Sequence, residues 1–278
     1  MRKVFALSVF LAALALSGSA FAQSCKPVVS NAHLVSPGKL LFSINPTLPP
    51  QQYVDANGKL QGLNVELARA IGAKLCLPVE FVKMDMPAMY PALRAHRFDG
   101  IDTGLFWTEA RSKTMFMIPY AQQAISVYTL PISPLKITKF ADLAGHVVGV
   151  ETATYQDAQA RALNAQMVAE GLKPIQFREF DNASDTTAAL RAGQVEAGIN
   201  IDETARILAD KGLVKVWLHG LSGTDITMDF VDRTLAEAVA EALDEISKDG
   251  TYDKLFDTFK MTRLADRQFA IRGEGRAQ

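Results

Sequence analysis

Asp99-Gly-Ile-Asp-Thr-Gly-Leu-Phe-Trp-Thr-Glu-Ala-Arg111 joins an apolar strand pattern to the start of a helix. Asp99 to Leu105 reads as a buried strand, and Thr108 can cap a helix that carries Arg111 in its first turn. The arginine then stands just past the carboxyl end of a strand, where open α/β sheets hold their ligands. A planar guanidinium there suits two-point capture of a carboxylate. The plainer reading is a surface arginine on a short helix.

Working outward, Leu40 to Ile44 reads as a strand, followed by the stiff loop Asn45-Pro-Thr-Leu-Pro-Pro50. Asp55-Ala-Asn-Gly58 between Tyr53-Val54 and Leu60-Gln61 predicts a hairpin. Asn64 is a candidate N-cap for a helix with Leu67, Ala68, Ile71 and Leu75 on one face. Val79 to Val82 is the next strand and Met86 to His96 the next helix. A change of character near Tyr128-Thr-Leu-Pro131 marks a crossover. Beyond it, strands at His146–Val150, Ile175–Phe180 and Val195–Ile201 alternate with helices at Tyr155–Gly171 and Ser184–Ala192. Thr224 to Phe230 reads as a returning strand, and Thr234 to Lys248 as a helix with Leu235, Val239, Leu243 and Ile246 at helical spacing. Such alternation predicts α/β architecture with mainly parallel sheets. A single sheet and a pair of lobes fit the periodicity almost equally well. The polar tail, 265–278, is expected to fray.

Residues 1–22 read as a cleaved secretory signal: basic Arg2 and Lys3, apolar Val4 to Leu16, and the small-residue site Ala20-Phe21-Ala22. The mature protein is expected to be soluble outside the cytoplasm. Export puts the only two cysteines, Cys25 and Cys76, in an oxidising compartment, and they are expected to pair. Two free thiols are the alternative. Net charge is −1 with scattered basic residues, so no stripe suits nucleic acid. The four histidines, His33, His96, His146 and His219, lack metal-ligand spacing. No nucleophile elbow, P-loop or dinucleotide fingerprint occurs. No cofactor is expected.

Asp99-Gly-Ile101 followed by Thr108-Glu-Ala-Arg111 resembles the family 3 extracellular solute-binding proteins, the amino-acid receptors of bacterial ABC importers. The resemblance runs to about Met261 and implies a two-lobed, type II periplasmic-binding-protein fold. It divides the chain into 23–128 and 222–264 for one lobe and 129–221 for the other, joined by crossings near 128–131 and 218–224. By that resemblance, Arg111 grips an α-carboxylate, with Thr103 and Gly104 beside it. Phe106 stands where a hydroxyl usually meets the carboxylate. Glu151-Thr-Ala-Thr-Tyr155-Gln156 resembles the segment that holds the carboxylate from the second lobe, with Thr154 and Tyr155 at a helix N-terminus. Ala153 replaces its glycine, and a plain helix cap is the competing reading. Asp202, with Asn200 behind it, is the candidate partner for an ammonium group. Asn45 replaces an aspartate found in receptors of basic amino acids. With Leu48, Met86 and Phe106 it predicts a more apolar, less acidic pocket and a neutral amino acid as ligand. The resemblance implies a monomer that meets an ABC permease transiently. A rival is a periplasmic dehydratase on the same scaffold, recruiting Glu109 or Glu151. A third is a sensor that presents ligand to a membrane receptor.

Overall fold

The computed structural model describes residues 25–275; the expected signal peptide and its cleavage site lie outside the described residues. The chain runs β1 (Leu40–Ile44), β2 (Thr47–Leu48), β3 (Gln52–Val54), β4 (Leu60–Gln61), α1 (Leu63–Leu75), β5 (Val79–Lys83), α2 (Met86–Arg94), β6 (Gly100–Phe106), α3 (Glu109–Ser112) and β7 (Phe116–Thr129). It continues through β8 (Val147–Glu151), α4 (Tyr155–Ala169), β9 (Gln176–Phe180), α5 (Ala183–Arg191), β10 (Ala197–Ile201), α6 (Asp202–Asp210), β11 (Lys215–Phe230), α7 (Arg233–Lys248) and α8 (Thr251–Phe259).

Among the described residues, eight strands form one sheet in the order β5-β1-β6-β11-β7-β10-β8-β9. β1, β5 and β6 run parallel at one end, and β8, β9 and β10 run parallel at the other. Between them β7 and β11 pair antiparallel along nearly their whole length. β11 meets β6 through Ile226–Phe230, whereas β7 meets β10 through Ile125–Tyr128. Gln122 and Gln123, opposite Asp225 and Thr224, pair with β11 and with no other strand of the sheet, the Gln122 N–H also donating to Thr262 O at 3.2 Å. Two long strands therefore link the parallel sets.

The sequence reading has no strand over Phe116–Thr129, because Pro119 and the polar pair Gln122-Gln123 break its apolar run. Proline enters a central strand only where the ladder is already interrupted. Here Ala121 faces Ile226 while Pro119 faces Thr227, so Tyr120 is the extra residue of a bulge. Its hydroxyl goes to Asn64, 2.8 Å away, which explains a second correction. Asn64 does not cap α1: the helix starts at Leu63 after Gly62, and the Asn64 side chain is buried against Tyr120.

Leu67 and Ile71 of α1 share a core with Leu235 and Val239 of α7 and with Tyr252 and Phe256 of α8. Met89 and Leu93 of α2 pack with Ile101, Leu105 and Met117. Each such side chain, fully removed from water, contributes about 1.5–3 kcal/mol. Cys25 and Cys76 are joined, with Cα atoms 5.5 Å apart, tying the first described residue to the end of α1. Of the tail, residues 265–275 are described, and part of this stretch packs on the sheet. The first half of β7 has β11 on one side only, and an uncovered strand edge is a liability. Arg272 exchanges backbone hydrogen bonds with Met117 at 2.8 and 2.9 Å, and Phe269 is buried, so the tail covers that edge.

Candidate functional site

Arg111 is positioned by the local chain. Thr108 caps α3, its Oγ1 accepting from the Arg111 N–H at 3.2 Å. The guanidinium Nη1 donates to the Phe106 carbonyl at 2.8 Å, and the charge lies 5.6 Å from the Tyr90 ring centre. Beneath it Asp229 is fully buried and accepts from the Thr227 hydroxyl at 2.8 Å. Burial pushes that carboxyl up to about 7, against the pull of Thr227 and Arg111.

Arg111 borders a cavity of about 20 Å³ also lined by Leu48, Met86, Thr103, Gly104 and Phe106. The opposite wall comes from β8 and α4: Glu151, Thr154, Tyr155 and Gln156. Thr154 caps α4, accepting from Asp157 N–H at 3.2 Å and donating to Glu151 O at 2.7 Å. Ala153 sits at φ 60°, a left-handed conformation suited to glycine, which is the residue it replaces in the resemblance. The Tyr155 ring stacks on Phe106 at 4.5 Å and 12°, and its hydroxyl donates to Ser222 O at 3.0 Å. Across the same gap Asn45 Nδ2 donates to Glu151 Oε1 at 2.7 Å, and Thr204 Oγ1 donates to Pro49 O at 2.8 Å. The remaining space is about that of one water. Any larger ligand requires Phe106 and Tyr155 to part.

Thr103 and Gly104 stand at this wall for distinct reasons. Thr103 Oγ1 accepts from Asn45 N–H at 3.0 Å and from Gln52 Nε2 at 3.1 Å, locking the loop after β1 to β6. Gly104 has φ 70°, and a Cβ there would come within 1.7 Å of Gln51 Nε2. Leu48 and Met86 are buried and line the same cavity. Asn45 does not line the cavity itself but orients Glu151.

Asp202, expected to meet an ammonium group, does not line the cavity. β10 ends at Ile201 and α6 begins at Asp202, so Ile201 faces the cavity and Asp202 turns away. Its carboxylate accepts from Ser126 Oγ at 2.6 Å and Gly220 N–H at 2.9 Å, bracing β7 against β11. Asn200 is no substitute, since its Oδ1 is taken by the Ile201 N–H at 2.8 Å and it does not line the cavity. The acid in the cavity is Glu151, the last residue of β8. The strand-end rule that singles out Arg111 applies equally to it. Burial pushes its carboxyl up to about 8, opposed by the Asn45 hydrogen bond and reinforced by the charge of Asp85. Gln123 also lines the cavity and donates to Glu203 Oε2 at 3.0 Å. The hidden strand β7 conceals it from sequence reading.

Residues 40–262 match the family described as bacterial extracellular solute-binding proteins, family 3. The histidine-binding periplasmic protein of Salmonella typhimurium is 28% identical over 79% of this chain and 86% of its own length. The probable ABC transporter arginine-binding protein ArtJ of Chlamydia trachomatis is 27% identical over 61% of this chain, which spans 63% of ArtJ. An ancestral arginine-binding protein bound to arginine superposes with TM-score 0.73 at 29% identity, covering 80% of this chain and 98% of that one. The ancestral amino acid-binding protein AncCDT-1, a precursor of cyclohexadienyl dehydratase, superposes with TM-score 0.71 at 25% identity, covering 80% and 95%. The architecture is that of the type II periplasmic binding proteins, and the chain belongs to family 3 of the bacterial extracellular solute-binding proteins.

Proposed function

We propose that this chain is the extracytoplasmic receptor of an ABC importer and captures a small carboxylate, an amino acid, by closure of two lobes. One lobe comprises the β1–β6 region with the C-terminal helices, and the other the β8–β10 region. The crossings fall at about 122–124 and 221–224, where β7 and β11 pair with each other and with no other strand of the sheet. The first lies upstream of the Tyr128–Pro131 stretch. The observation that carries the reading is one cavity bordered on one side by Arg111 and on the other by the α4 N-terminus at Thr154–Tyr155. A carboxylate held by the guanidinium meets free N–H donors from the second lobe only when the lobes close, so binding and closure are coupled. The similar proteins named for histidine and arginine binding support an amino-acid ligand. A transient complex of the monomer with an inner-membrane permease completes the role.

Titration calorimetry of the mature protein with an amino-acid panel tests this. Arg111→Ala should weaken binding by about 2–5 kcal/mol, the cost of breaking a buried charged pair. Unchanged affinity would refute the site. A buried carboxyl at Glu151 also fits a general acid, and AncCDT-1 precedes a dehydratase. Incubation with prephenate or arogenate separates the two: formation of the aromatic product would replace the receptor reading with the enzymatic one.

A further inference from the structure

Resting on the receptor reading, we infer that Glu151 selects the ligand by pairing with a cationic nitrogen at the end of the cavity away from Arg111, so the preferred ligand is a basic amino acid. This departs from the neutral ligand expected from Asn45. The acid missing at position 45 is supplied from the opposite wall, by the last residue of β8.

Four observations converge. Glu151 is 2% exposed and, among the described residues, is the sole carboxylate lining the cavity, as Arg111 is the sole cation. Its Oε1 is held by Asn45 at 2.7 Å, while its Oε2 is buried without a partner. A buried carboxylate oxygen left unpaired is costly, and a cationic donor is its best complement. The two charges also have different company. Arg111 acts on Tyr90, Tyr155 and Asp229, whereas the charged group acting on Glu151 is Asp85, which deepens the negative field at that end. The same cavity is lined by the apolar Leu48 and Met86, suited to the methylene stem of a long side chain.

The groups around Glu151 define its proton balance. Asn45 from the end of β1 is neutral, Asp85 before α2 is anionic, and Arg111 and Tyr155 border the same cavity. The Tyr128 hydroxyl of β7 senses the Glu151 charge, and Glu203 of α6 reaches the cavity through Gln123. In the closed form Glu151 keeps its proton at neutral pH because burial opposes ionisation. A basic ligand arrives as a cation, Glu151 releases its proton to solvent, and the resulting carboxylate pairs with the ligand nitrogen. Charge and atoms balance.

The test is calorimetry of the mature protein with L-arginine, L-lysine, L-histidine, L-glutamine and L-leucine, using wild type, Glu151→Gln and Arg111→Ala. Glutamine at 151 keeps the side-chain length and the carbonyl acceptor for Asn45. A basic member should bind wild type most tightly, and Glu151→Gln should weaken it about 100-fold while sparing the neutral ligands. Tightest binding of a neutral amino acid would overturn the inference, as would a basic ligand held equally by Glu151→Gln. If Arg111→Ala still abolished binding, the receptor reading would survive that result. Retained binding by Arg111→Ala, or no binding of any ligand by wild type, would sink both.

Discussion

Glu151→Gln should stabilise the ligand-free protein, and by an amount that grows with pH. The carboxyl moves from its ordinary 4.5 to about 8 on folding, chiefly through burial. A carboxyl raised in the folded state binds more protons folded than unfolded as pH rises between those values, so stability falls across that window. Below 4.5 the acid is neutral in both states and nothing is lost. Above about 8 the folded protein carries a buried anion whose Oε2 has no partner. Each pKa unit corresponds to about 1.4 kcal/mol, so the loss between pH 5 and pH 9 is at most roughly 4 kcal/mol. Glutamine keeps the Asn45 hydrogen bond and does not titrate. Urea unfolding with the disulfide intact measures the difference. At pH 5 the two proteins should be within about 1 kcal/mol of each other, and at pH 9 the variant should lead by about 2–4 kcal/mol with the same m-value. A gap that is the same at both pH values would refute the reasoning, because every other titrating group is common to both proteins.

Two more perturbations follow from the fold. Gly104→Ala combines a left-handed backbone with a Cβ 1.7 Å from Gln51 Nε2. It should cost about 2–4 kcal/mol by thermal unfolding and displace Gln51 from the Tyr120 hydroxyl, 3.2 Å away; a loss below about 1 kcal/mol would contradict the crowding. Replacing both Cys25 and Cys76 by serine should cost about 2–5 kcal/mol in urea without changing ligand affinity, since the bridge lies at the far end of α1 from the cavity. A matching loss of affinity would place the bridge in the binding machinery.

Much of the site was legible because strand-end geometry is local. Asp99 to Arg111 carries its strand, its cap and its guanidinium in consecutive residues, and Thr103, Gly104, Phe106 and Arg111 all line the cavity. Thr154 was legible only as an ambiguity, and the structure shows it to be both the α4 cap and a cavity residue. Asp202 misled because one residue at the boundary of β10 and α6 decides which way a side chain points, and boundaries are the least local feature of an element.

By itself the sequence determined the alternation of strands and helices and the arginine at a strand end, since each depends on neighbours a few residues away; the cysteine pair, 51 residues apart, it supported only through the export signal. Tertiary structure alone decided that Phe116–Thr129 is a strand, that the polar tail seals its open edge, and that Glu151 rather than Asp202 faces Arg111's cavity. Those outcomes depend on partners far along the chain: Lys215–Phe230 for the strand, Met117 for the tail and Asn45 for the acid. A backbone edge or a buried carboxyl acquires its role only when folding takes it out of water and leaves it those partners to bond.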